Sequence, residues 1–187
     1  MNDDILIVMA LAQECRGLFK DKNIVYTGLG KVNAAYKLTK AIAKSKPKLV
    51  INLGSAGSQY FKTGTLVNCT SFVQRDMNVE PLGFEKYQTP FEADNEPILK
   101  YGQRLIHLAE AICGTGDSFD ISQTKEIYNV VDMEAYALAK ICKLENIDFV
   151  CIKYISDGAD TSAADDWNAA LNDSAKKLFN EYQQNFK

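Results

Sequence analysis

Apolar residues concentrate in short runs separated by stretches of mixed polarity. The runs Ile5–Met9, Ile24–Tyr26, Leu49–Leu53, Leu66–Val73, Tyr128–Met133 and Phe149–Ile155 are rich in β-branched residues and predict strands. Between them, apolar positions recur three and four apart over Val32–Lys44, roughly Ile98–Ile112 and Glu134–Leu144, which predicts helices. A short first helix is expected near Gln13–Phe19. A last helix follows Thr161-Ser162, a possible cap, and puts Trp167, Leu171, Ala175, Leu178, Tyr182 and Phe186 on one face. Strands this uniformly apolar are buried on both faces, so the alternation predicts an α/β domain with a central sheet covered on both sides. Met77–Pro97, rich in Pro, Glu, Asp and Gly, is the longest irregular stretch, either an active-site loop or a plain connection.

Composition narrows this picture. At 187 residues and 47% hydrophobic, the chain fits one domain over residues 1–187, without a linker or internal repeat. No run approaches the roughly 18 apolar residues of a membrane span, and Met1-Asn2-Asp3-Asp4 lacks the positive start of a signal peptide, so a cytoplasmic location is expected. Cys15, Cys69, Cys113, Cys142 and Cys151 are scattered through apolar surroundings without a CxxC pair, and read as reduced core residues, with no metal site. The single histidine, His107, sits in the helix-like Leu105–Ala109, which disfavours Ser-His-Asp and Cys-His catalysis. A net charge of -3 with no basic stripe excludes a nucleic-acid partner and leaves a small molecule as the natural ligand.

The candidate chemistry lies where strands end. Glu14, Glu134 and Asp157 each follow a strand-like run, and in a parallel sheet such positions gather at one rim, where ligands bind. Acids clustered there suit cleavage of a glycosidic bond, which needs one carboxyl protonated and another ionised. Each acid alone also fits a helix N-cap or first-turn position. Asn52-Leu53-Gly54-Ser55-Ala56-Gly57 places small residues directly after a buried strand and lets backbone approach a ligand, although a tight turn explains the glycines equally well. Thr27-Gly28-Leu29-Gly30-Lys31 repeats the strand, glycine turn and helix order.

Taken together and in order, TGLGKVNAA (27–35), NLGSAG (52–57), GTGDSF (114–119), VVDMEAYALA (130–139) and ISDGAD (155–160) resemble the nucleoside phosphorylase and nucleosidase family, most of all its methylthioadenosine/S-adenosylhomocysteine nucleosidases. The resemblance implies a three-layer α/β/α sandwich around a mixed, largely parallel sheet, shortened here relative to typical members, assembled as a homodimer and needing no cofactor. It implies hydrolysis of the N-glycosidic bond of an adenine nucleoside. Asp157 matches the general acid at N7 of the purine, Glu14 the carboxylate that activates water, and Glu134 the acceptor of ribose hydroxyls. Phe119 matches the residue stacked on the base and Met133 the one packed against the ribose. Ser55, Ala56, Gly57 and Ser156 fall in the surrounding network.

Phosphorylases of this family hold phosphate with arginines, and where they carry one before the strand at Leu66 this chain has Gly64. Water is then the expected nucleophile, with Arg16 and Arg75 keeping phosphorolysis open. Leu11, Leu29, Val79 and Leu82 match positions of an apolar pocket for the 5′ group, which suits a thioether. Two departures from the pattern, the brief connection before Val25 and the loop Asp76–Phe84, leave another purine nucleoside open, such as a futalosine-type compound. A binding protein without turnover is a further alternative.

Overall fold

The strands that carry the site are built to be buried on both sides. The computed structural model describes residues 4–92, 96–119, 126–160 and 163–186. Its strands are β1 (Ile5–Met9), β2 (Ile24–Tyr26), β3 (Leu49–Gly57), β4 (Leu66–Gln74), β5 (Leu99–Lys100), β6 (Ala109–Thr115), β7 (Val130–Asp132) and β8 (Asp148–Asp157). The helices are α1 (Lys31–Ser45), α2 (Ala135–Leu144) and α3 (Ala163–Asn185). Successive strand residues point to opposite faces. Leu6 and Val8 therefore join one core with Phe149 and Cys151, while Ile7 and Met9 join another with Val150 and Ile152. Ala34, Leu38 and Ile42 of α1 and Leu138 and Cys142 of α2 cover the first core. Leu178 and Tyr182 of α3 cover the second, together with Phe19. This is the expected three-layer α/β/α arrangement.

The sheet is mixed. β1 lies parallel between β2 and β3, and β3 runs parallel to β8 along its length. β8 is antiparallel to β4, β4 is parallel to β6, and β6 to β7. β7 then touches β3 in antiparallel fashion at Gly57 and Val131, so the pairing returns to its start and closes a ring. Register fixes the site: Thr115 is level with both Gln74 and Asp132, while Gly57 is level with both Val131 and Asp157. The carboxyl ends of β3, β4, β6, β7 and β8 thereby converge.

Several expectations need correction. The helix predicted over roughly Ile98–Ile112 does not form; the segment is β5, an irregular stretch and then β6. The spacing of Leu105, Leu108 and Ile112 satisfies a helix, but β4 and β7 offer Ala109–Thr115 parallel partners on both edges, and that pairing wins. His107 accordingly lies in a turn, its Nε2 2.6 Å from Oε1 of the buried Glu181. In place of a helix over Gln13–Phe19 there is a 3-10 turn, Ala12–Cys15, ended by Arg16 in the left-handed region at φ 47°. Thr161-Ser162, the expected cap of α3, falls outside the described residues. All five cysteines are buried with free thiols. Among the described residues, no helix is long and apolar enough to cross a membrane.

Candidate active site

A cavity of about 300 Å³ opens where the strand ends converge. Glu14, Glu134 and Asp157 all line it, and all three are buried. Glu14 is delivered by the 3-10 turn after β1. Its Oε2 accepts the Leu11 N–H at 2.9 Å, and its Oε1 accepts both the Ser55 N–H at 3.2 Å and the Ser55 hydroxyl at 3.0 Å. Asp157 closes β8, with Oδ2 accepting the Ser156 hydroxyl at 2.7 Å and Oδ1 the Ala159 N–H at 2.9 Å. A Cβ at residue 57 would fall 2.5 Å from Asp157 Oδ1, so only glycine at the end of β3 lets this carboxyl sit where it does.

Glu134 stands at the N-terminus of α2, and its Oε1 accepts the Gly30 N–H at 2.8 Å. Gly30 in turn adopts φ 91° at the start of α1, a conformation that suits glycine. Burial pushes the Glu134 carboxyl up to about 7, helped by the negative charge of Asp132, while Lys153 and the Gly30 N–H pull it back. Near neutrality this group is therefore poised between its two protonation states.

Beneath it lies an ion pair that strand reading overlooked. Lys153 Nζ sits 2.7 Å from Asp132 Oδ2, with both side chains almost inaccessible. Asp132 also accepts the Thr115 hydroxyl at 2.6 Å and the Ala135 N–H at 2.9 Å. Burial raises the Asp132 carboxyl, but Lys153 and these donors outweigh it and hold the group below its ordinary value. For Lys153, burial acts to discharge the ammonium, and the charge of Asp132 prevails and raises it well above the usual lysine value. The signal was present in Phe149-Val150-Cys151-Ile152-Lys153-Tyr154-Ile155: a lysine inside an apolar strand requires a buried carboxylate.

Of the remaining sequence candidates, Ser55, Ala56, Gly57, Phe119, Met133, Ser156, Leu11 and Leu29 line the cavity. Val79 and Leu82 do not; they belong to a 3-10 turn region away from it, and Leu82 is 74% exposed. No described residue of Met77–Pro97 lines the cavity. Arg16 is exposed and donates to Asn172 at 2.7 Å, away from the cavity wall. Arg75 does line it, yet its guanidinium is tied to Gly116 O at 3.3 Å, to Ser118 Oγ at 3.3 Å and to Ser118 O. Trp167, expected on the core face of α3, lines the cavity and donates its Nε1–H to Ser55 Oγ at 2.7 Å. Among the described residues there is no cluster of histidine, cysteine and acidic side chains suited to a metal ion.

The sequence profile described as Phosphorylase superfamily matches residues 16–185. The chain belongs to the phosphorylase superfamily. Within this superfamily, the 5′-methylthioadenosine/S-adenosylhomocysteine nucleosidase of Haemophilus influenzae (strain PittEE) is 35% identical over 167 residues, covering 78% of this chain and 72% of the relative. The crystal structure of the Helicobacter pylori enzyme of the same name, with butyl-thio-DADMe-Immucillin-A, matches at a TM-score of 0.86 with 20% identity over 96% of each chain. A futalosine hydrolase mutant from Helicobacter pylori matches at 0.87 with 19% identity, again over 96% of each chain. One superfamily fold thus serves differently named hydrolases, and the choice between them lies in the site.

Proposed function

We propose that this protein hydrolyses the N-glycosidic bond of an adenine nucleoside, 5′-methylthioadenosine or S-adenosylhomocysteine, releasing free base and a ribose derivative. The observation that carries this reading is a single cavity into which three strand ends bring three buried carboxylates. Cleavage leaves positive charge on the ribose and negative charge on the base. Asp157 supplies a proton at N7, an atom that can only accept. Glu134 accepts the ribose hydroxyls and favours the cationic sugar, and Glu14 takes a proton from the attacking water. Phe119 stacks on the base and Met133 packs against the ribose.

Water is favoured over phosphate by charge. Among the described lining residues Arg75 is the one cation, its outer nitrogens already engaged by the Gly116–Ser118 loop, while the charge of Asp132 is matched by Lys153. A dianion entering there meets the ionised Glu14, with only the tethered Arg75 to offset it. The apolar side chains of Leu11, Leu29 and Trp167 suit a thioether substituent.

The test is a panel of methylthioadenosine, S-adenosylhomocysteine, adenosine and a futalosine-type nucleoside, incubated with and without phosphate. Adenine release from the first two, unchanged by phosphate, is the expected result. Formation of a ribose 1-phosphate overturns hydrolysis, and tight binding without release of base overturns catalysis. The assembly belongs to the same reading: Val79 and Leu82 do not reach the cavity of their own chain, so we infer a homodimer in which they lie at the partner's site. Light scattering of the active preparation should give twice the chain mass; a monomer that retains full activity contradicts this.

A further inference from the structure

We infer that Trp167 is a positioning residue for Glu14, acting through the hydroxyl of Ser55; the inference rests on the water-activating role proposed above for that carboxylate. Trp167 Nε1 donates to Ser55 Oγ at 2.7 Å, and Ser55 Oγ donates to Glu14 Oε1 at 3.0 Å. An indole N–H only donates, an ionised carboxylate only accepts, and a hydroxyl carries one proton. The chain of bonds therefore runs in one sense. The indole occupies a lone pair of the serine oxygen and leaves the hydroxyl proton for Glu14.

Among the described residues the other donors to Glu14 are backbone N–H groups, of Leu11 at 2.9 Å and of Ser55 at 3.2 Å, which cannot swing away. The Ser55 hydroxyl can. Without a donor on its far side, its proton is free to turn toward water or a sugar oxygen, and the carboxylate loses one of the bonds that aim it. The helix carrying Trp167 is itself anchored beside the Glu14 turn, since Arg16 Nε donates to Asn172 Oδ1 at 2.7 Å. Trp167 also lines the cavity, so one side chain serves both as a wall for substrate and as a brace for the base.

Steady-state hydrolysis of methylthioadenosine by the wild type, Trp167→Phe, Ser55→Ala and the double variant tests this. Trp167→Phe should lower kcat about tenfold, the scale of one lost positioning bond, in addition to any rise in KM from the smaller ring at the cavity wall. Added to Ser55→Ala it should cost nothing more, because both remove the same link. Trp167 is the only tryptophan in the chain, so β-benzothienylalanine, which exchanges the ring N–H for sulfur and keeps the ring's shape, can replace it at that position alone. The same loss of kcat with this analogue supports the inference even where phenylalanine leaves a packing gap. Unchanged kcat in both replacements overturns it. So does a rise in KM alone, which marks Trp167 as a wall only, and so does a full further loss on top of Ser55→Ala. A wild-type chain that releases no base from any nucleoside overturns the hydrolytic reading, and this inference with it.

Discussion

Asp157→Asn should lower turnover at least about 100-fold while leaving the fold and nucleoside binding in place. The substitution is isosteric. The amide oxygen can still accept the Ala159 N–H, and the amide nitrogen can donate to Ser156 Oγ, so the carboxyl's two bonds at the end of β8 have replacements. What the amide cannot do is give a proton to the departing base. The loss should therefore appear in kcat, with the affinity for a non-hydrolysable nucleoside analogue within a few-fold of wild type. Glu14→Gln should show a loss of the same order, because an amide cannot take a proton from water. Near-normal turnover in either variant would remove that residue from its role, and a parallel collapse of analogue affinity would mark it as a binding group.

The three acids could be read from the chain because each follows a run that could only be a buried strand. A parallel sheet brings such positions to one rim, and the structure places all three on one cavity. The strand Ala109–Thr115 could not be read in the same way. Its apolar spacing is helical, and only the presence of β4 and β7 on either side decides otherwise. Trp167 was hidden by a similar ambiguity, since an aromatic on the apolar stripe of an amphipathic helix looks like core until the fold shows that the stripe overlooks the Glu14 turn. Val79 and Leu82 mark a different limit. Resemblance assigned them to a pocket for the 5′ group, and in this chain neither lines the cavity. Lys153 and Asp132 were legible in principle, because a charge inside an apolar strand has few ways to be satisfied.

Lys153→Met is the second substitution with a large expected effect, and it acts on stability first. Removing one member of a buried pair leaves the other uncompensated, at a cost of about 3–5 kcal/mol. For a chain of this size that corresponds to a fall of roughly 6–20 °C in Tm. Adding Asp132→Asn to the same protein should recover part of the loss, because no buried charge then lacks a partner; a double variant less stable than Lys153→Met alone would show that the ion pair is not what the lysine supports. Activity offers an independent readout. Lys153 draws the Glu134 carboxyl downward and Asp132 pushes it upward. With Lys153 gone, Glu134 should ionise above its present value of about 7. If the ionised form is the one that receives the ribose hydroxyls, the acid limb of kcat/KM must move to higher pH in Lys153→Met. In the double variant, where the Asp132 charge is also absent, the limb should return toward the wild-type position. A limb that stays fixed in both would mean that Glu134 does not set it.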